Sequence, residues 1–137
     1  MGALAASIVA LAASAATGKD FGPGDLRVCN GSRCVPITNR DVLPALGSFY
    51  YGGPQPLAAP AVRRGAPAYQ LRFRNGYVTG IVATARLDRF LSYGVYLGRF
   101  RRGQWYRVPD AIAGELRRLA RGLAPLRVTP WAVRRSR

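Results

Sequence analysis

Between residues 69 and 82 the chain alternates. Tyr69, Leu71 and Phe73 are interleaved with Gln70, Arg72 and Arg74, and after Asn75-Gly76 the run Tyr77-Val78-Thr79-Gly80-Ile81-Val82 resumes. Period-two alternation broken by Asn-Gly predicts a β-hairpin with a type I′ turn. One face of it is apolar and the other carries Arg72 and Arg74. A further hairpin is expected from residues 93–100 and 105–108, joined by Arg101-Arg102-Gly103-Gln104. The intervening residues 84–92 fit a short helix or a turn carrying Leu87, Phe90 and Leu91.

Two segments show helical spacing instead. Val42, Leu43, Leu46, Phe49 and Tyr50 recur at helical intervals behind Asp41, a candidate N-cap, and Gly52-Gly53 ends the run. Pro44 is tolerated because it falls in the first turn. Farther on, Asp110 is a candidate cap for a helix with Ile112, Leu116, Leu119 and Leu123 in one stripe. Arg117, Arg118 and Arg121 lie opposite that stripe, and Gly122 and Pro125 end it. Residues 126–129 offer a last strand.

Near the start, residues 25–37 read as two short strands around Asn30-Gly31-Ser32-Arg33, with Asn30-Gly31 supplying residues that tolerate positive φ. Cys29 and Cys34 then face each other across the hairpin neck, and a disulfide is expected in an oxidising compartment. Four residues in a turn separate them, which suits neither a redox dithiol nor a zinc site. Phe49, Tyr50 and Tyr51 are expected in the core.

The expected fold is α+β: a small single domain with a mainly antiparallel sheet built from hairpins, plus two helices. The domain spans residues 16–137. Within it, 20–52 form the disulfide hairpin and first helix, and 53–67 form a proline-rich strap running across the domain. Residues 68–130 hold the remaining hairpins, helix and last strand, and 131–137 are a basic tail. Residues 1–18 contain no charge, and Ala13-Ser14-Ala15 offers a cleavage site, so residues 1–15 resemble a signal peptide although no basic residue precedes the apolar run. An uncleaved anchor or a buried helix fits less well, because the run is short for a bilayer and lacks a polar face. The expected location is therefore secreted or at the cell envelope.

Charge changes this picture. The 137 residues carry 21 basic and 6 acidic side chains, a net charge of +15, and all the basic residues but Lys19 are arginine. The excess is uneven: +1 over residues 1–62, +5 over 63–98 and +9 over 99–137. Codon bias explains an abundance of arginine beside alanine, glycine and proline, but not the shortage of acids. Such a surface attracts polyanions and anionic membranes.

The chemistry available is narrow. The absence of histidine excludes Ser-His and Cys-His nucleophiles. Asp110 and Glu115, five apart, do not share a helix face, so a carboxylate pair of the glycosidase kind has little support. Neither a metal nor a cofactor is implied. The densest aromatic–cationic stretch holds Arg99, Arg101, Arg102, Trp105, Tyr106 and Arg107, residue types that grip phosphates and stack on bases or sugars. Ordinary β-hairpin composition explains the same pattern. The reading favoured is a non-catalytic binding protein for an anionic polymer, a membrane surface or an acidic protein; a nucleic acid suits the same residues. In it Arg99, Arg101, Arg102 and Arg107 supply charge, and Trp105 and Tyr106 supply stacking area where exposed. Arg72, Arg74, Arg117, Arg118 and Arg121 extend the field. One alternative is a small histidine-free hydrolase or ribonuclease using arginine with Tyr93, Tyr96 or Tyr106. Another is an accessory subunit docked through an apolar helix face.

Overall fold

The computed structural model describes residues 21–57, 62–94 and 98–129. The expected leader and basic tail lie outside the described residues, as do residues 58–61 of the strap. Strands β1 (Leu26–Cys29) and β2 (Cys34–Pro36) precede helix α1 (Leu43–Tyr51). After the strap come β3 (Pro67–Phe73), β4 (Val78–Ala83), β5 (Arg89–Ser92) and β6 (Trp105–Arg107), then helix α2 (Asp110–Ala120) and β7 (Leu126–Arg127). All neighbours in the sheet are antiparallel, in the order β2-β1-β3-β4-β5-β6, and β7 also pairs with β3. The chain is a small α+β domain of the expected kind.

Alternation along the strands sorts side chains onto two covered faces. The inner face carries Leu26, Val28, Tyr69, Leu71, Val82, Phe90 and Tyr106, and it packs against both helices. There Phe49, Tyr50, Phe90 and Phe100 meet mostly edge to face, with centroids 5.3–6.0 Å apart. The outer face carries a smaller cluster of Ala68, Ile81, Leu91 and Trp105, covered by Val62 and Val128. Residues 55–57 also run beside β6: Arg107 N–H donates to Gln55 O, and Leu57 N–H donates to Trp105 O, each at 3.0 Å. The described part of the strap thus covers one sheet edge. At the other edge, Pro36 in β2 has no N–H to offer an incoming strand.

The first hairpin is as expected in its pairing, with Cys29 opposite Cys34 and the two joined by a disulfide. Its turn differs. Neither Asn30 nor Gly31 has positive φ; the Asn30 carboxamide oxygen instead accepts the N–H groups of Ser32 (3.0 Å) and Arg33 (2.7 Å). The hairpin between β3 and β4 also departs from type I′. Only Gly76 is left-handed, at φ 92°, and Phe73 N–H donates to Tyr77 O while Phe73 O accepts Gly76 N–H, which makes a three-residue loop. The Asn75 side chain takes the Tyr77 N–H at 2.9 Å, so Asn75 has no need of a left-handed backbone.

Three further expectations are corrected. Neither aspartate caps a helix through its side chain: Val42 and Pro109 occupy the N-cap positions, and Asp110 is the first residue of α2. Ahead of α1, it is Asn39 that accepts the Asp41 N–H. Residues 84–92 are not a helix; Thr84–Asp88 turn sharply and Arg89–Ser92 form β5. The partner of β6 is therefore β5, not residues 93–100, of which the described ones contain no strand.

A bulge re-aims one polar residue. Leu71 pairs with Gly80 and Arg72 with Val78, leaving Thr79 as the extra residue. Its buried hydroxyl donates to Leu71 O at 3.2 Å and shares a 2.9 Å hydrogen bond with the Tyr50 hydroxyl, tying α1 to the sheet. Beside it, Gly80 lies under the Phe90 ring. A Cβ there would stand 2.7 Å from that ring and against the Leu91 carbonyl.

Gly80→Ala should cost roughly 2–3 kcal/mol in denaturant unfolding, because neither the ring nor the paired backbone has room to retreat. Replacing Cys29 and Cys34 together by Ala should cost only about 2 kcal/mol, since the closed loop is short, and should leave the far-UV circular dichroism unchanged.

Candidate anion-binding surface

The expected site residues separate when placed on this frame. Trp105 is fully buried in the outer cluster, and Tyr106 is buried in the inner one with its ring centroid 4.7 Å from that of Phe100. The Tyr106 hydroxyl accepts the Arg101 N–H at 2.7 Å. Neither ring offers stacking area, which corrects that part of the reading. Alternation sends adjacent residues of a strand to opposite faces, and here both faces are covered. Burial also removes Tyr106 from the ribonuclease alternative; Tyr96 lies outside the described residues.

Several arginines are already engaged. Arg74 pairs with Asp25 at 3.3 Å and donates to Pro23 O at 3.0 Å. Arg118 pairs with Glu115. Arg72 is half-buried and donates to Gln70 Oε1. Arg99, Arg101 and Arg102 are exposed on the connection from Gly98 to Gln104, while Arg107, Arg117 and Arg121 are exposed elsewhere. The strand register shows the division. Arg107 aligns through Arg89 and Ala83 with Ala68, at the start of β3, whereas Ser92, which accepts the Gly103 N–H, aligns through Gly80 with Leu71. Arg101 and Arg102 thus sit toward the end of the sheet that carries Arg72 and Arg74, and Arg107 sits toward the other. The eleven side chains do not make one flank.

At the Ala68 end, a groove of about 370 Å³ opens between α2 and the Thr84–Asp88 turn, lined by Tyr69, Thr84, Leu87, Arg117 and Arg121 among others. The turn is held against its local preference. Thr84 and Leu87 have φ of 78° and 53°, a region that L side chains avoid and that a β-branched residue rarely enters. Leu87 is buried in the main core, the Thr84 hydroxyl donates to Asp88 Oδ1 at 2.8 Å, and Thr84 N–H donates to Pro67 O. Arg117 Nη1 donates to Arg86 O at 2.8 Å, so helix and turn are fastened together, and Arg86 itself lines an adjoining hollow with Asp88 and Arg89. Among the described residues, no carboxylate lies within ion-pair distance of Arg86, Arg117 or Arg121.

Comparison of the chain with family models, with curated proteins and with solved structures finds no match. Part of the charge at the groove has a structural task, since arginines in the last turn of α2 complement the negative end of its dipole. The Tyr69 hydroxyl reaches the last helical carbonyl, Ala120 O, at 3.4 Å and donates to Leu123 O, beyond the C-cap, at 2.9 Å. Burial raises the Tyr69 pKa, opposed by the positive charge of Arg127. Of the carboxylates near the groove, Asp88 is engaged by Thr84 and Arg89, and no group of three His, Cys, Asp or Glu among the described residues could hold a metal ion. Arg86 was missed from the sequence because nothing local shows that residues 84–88 meet α2.

Glu115 supplies the acidic counterpart. It is buried, accepts from Arg118 and takes Asn39 Nδ2 at 3.1 Å, and these bonds, the Arg118 one foremost, hold its pKa below the usual carboxylate value against the opposing effect of burial.

Stability should therefore fall at both ends of the pH range. Glu115 stabilises the fold above its unfolded pKa of about 4.5, and that contribution is lost as the pH falls through its lower folded value. Tyr50, Tyr69 and Tyr93 have pKa values raised by burial. Their contribution is present below the ordinary value of about 10 and is lost as the pH rises beyond it toward the folded values. Denaturant midpoints against pH should show both losses, and Glu115→Gln should flatten the acid limb alone.

Proposed function

We propose that this is an exported, non-catalytic protein that binds an anionic polymer at the cell envelope, with the groove beside α2 as its docking surface. The observation that carries the reading is that Arg117 and Arg121 line one groove, with Arg86 on the adjoining turn, and none of the three has a carboxylate in pairing range among the described residues. Arg117 and Arg121 are one helical turn apart, about 6 Å along the axis, so successive charges of an extended chain have successive partners. Arginine presents a planar fork that matches carboxylate and phosphate oxygens. The Cys29–Cys34 disulfide supports an oxidising compartment, and the uncharged, alanine-rich residues 1–15 support export. Among the described residues no helix is long and apolar enough to cross a membrane.

The test is retention of the full chain on an anionic polysaccharide resin across a salt gradient. The Arg86→Ser/Arg121→Ser double variant should elute earlier. Its affinity should depend on log salt with a slope shallower by about two, roughly one unit for each guanidinium removed. Among the described residues neither guanidinium has a hydrogen-bond partner, so the melting temperature should move by less than about 2 °C. Wild-type elution by that variant would remove the groove from consideration.

A further inference from the structure

The opposite corner of the sheet holds a second concentration of charge, on the outer face, that polymer docking in the groove does not use. On β1, Leu26 and Val28 face the helices, so Arg27 and Cys29 face outward; on β3, Leu71 faces inward, so Gln70 and Arg72 face outward. Pairing of β1 with β3 sets Arg27 directly opposite Arg72, and Cys29 opposite Gln70. Like charges directly opposite on one face of a sheet repel. A fold that gained nothing from this juxtaposition would be more stable with a carboxylate or a neutral residue on one of the strands.

The local partners do not compensate. Arg72 donates its Nε at 2.8 Å and its Nη2 to Gln70 Oε1, a neutral acceptor. The Nε of Arg27 is buried and has no hydrogen-bond partner among the described residues. On the far side of Arg27 stands Pro36 of β2, which has no N–H and no polar side chain. The carboxylate one rung along, Asp25, is engaged by Arg74 at 3.3 Å and by the Gly22 N–H at 2.7 Å. Among the described residues, Arg27, Arg72 and Arg74 thus share one acid. Both members of the central pair are half-buried, so they are reachable from solvent yet partly shielded from it.

We propose that Arg27 and Arg72 together bind one compact oxyanion of the phosphate class. A single carboxylate is satisfied by one guanidinium fork, whereas a tetrahedral dianion has oxygens and charge for two. Its arrival replaces a repulsion by two charge-assisted contacts. Along β3 the pair lies five residues from Pro67 at the groove, about 17 Å, and on the other face of the sheet, so the two sites are separate.

Thermal unfolding of the full chain in inorganic phosphate, against sodium chloride at equal ionic strength, tests the assignment. Phosphate at a hundredfold excess over its Kd should raise the wild-type melting temperature by about 10 °C more than chloride does. Arg27→Gln should lose that increment. In chloride it should melt no lower than wild type, because removing one charge relieves the pair; a merely structural arginine would show a drop instead. Arg72→Lys keeps the charge but not the fork and should bind at least tenfold more weakly, which covers the case of a poorly folding Arg27 variant. Arg86→Ser/Arg121→Ser should keep the full phosphate response, so failure of the groove and failure of this site are told apart. Equal shifts in phosphate and chloride, or an undiminished response in Arg27→Gln, would overturn the proposal. A parallel titration with a short phosphomonoester, which keeps the dianion, identifies the source: tighter binding of inorganic phosphate marks a free-ion site, and tighter binding of the monoester marks a phosphate carried on a larger molecule.

Discussion

Strand β3 is the constraint on which the rest depends. One of its edges is paired with β4, and the other is shared end to end by β1, along residues 70–73, and β7, along residues 67–68. Segments from the beginning and the end of the described chain therefore meet on a single strand. Asn30 bridges them: its oxygen closes the first turn, and its Nδ2 donates to Ala124 O at 3.1 Å, on the approach to β7. Without that shared edge, the disulfide hairpin would be a local ornament, and the segment that follows α2 would lose the Tyr69 hydroxyl that holds Leu123 O.

What could be read from the chain beforehand follows from range. The β1–β2 and β3–β4 hairpins were legible, because alternation and Asn-Gly are local signals; so was the apolar stripe of α2. Strand β5 was not. Arg-Phe-Leu-Ser is covered on both faces and so shows no alternation, while Thr84 and Leu87 enter left-handed backbone without the glycine that usually marks it. The helix caps were misplaced by one position: Asp110 sits in the first turn of α2, where it meets the helix dipole, and Asp41 lies one residue ahead of the α1 N-cap. The turn types failed for a related reason. Asn30 and Asn75 act through side-chain acceptors, and the residue letter does not distinguish that use from a left-handed backbone.

The candidate site was less legible than the fold. Arginine on a strand reads as an exposed face, but a strand has two faces and this sheet covers much of both. Trp105 and Tyr106 went to opposite cores, and Arg72 and Arg74 found Gln70 and Asp25. The juxtapositions that matter electrostatically are non-local. Arg27 meets Arg72 only because β1 pairs with β3, and Arg86 meets Arg117 only because a strained turn packs against α2. Neither spacing nor composition carries that information.

These placements change the meaning of the net charge. With three ion pairs among the described residues, one of them an exposed Arg74–Asp25 contact, most of the excess is left to repel itself. Self-repulsion in a compact state destabilises it, and strand register sets Arg27 and Arg72 on directly opposite backbone positions. Any anion that binds only the folded chain adds stability in proportion to the logarithm of its concentration over its Kd. Net charge and a shortage of internal acids thus act in one direction. A negatively charged partner bound as proposed would relieve that repulsion where Arg27 and Arg72 stand opposite each other.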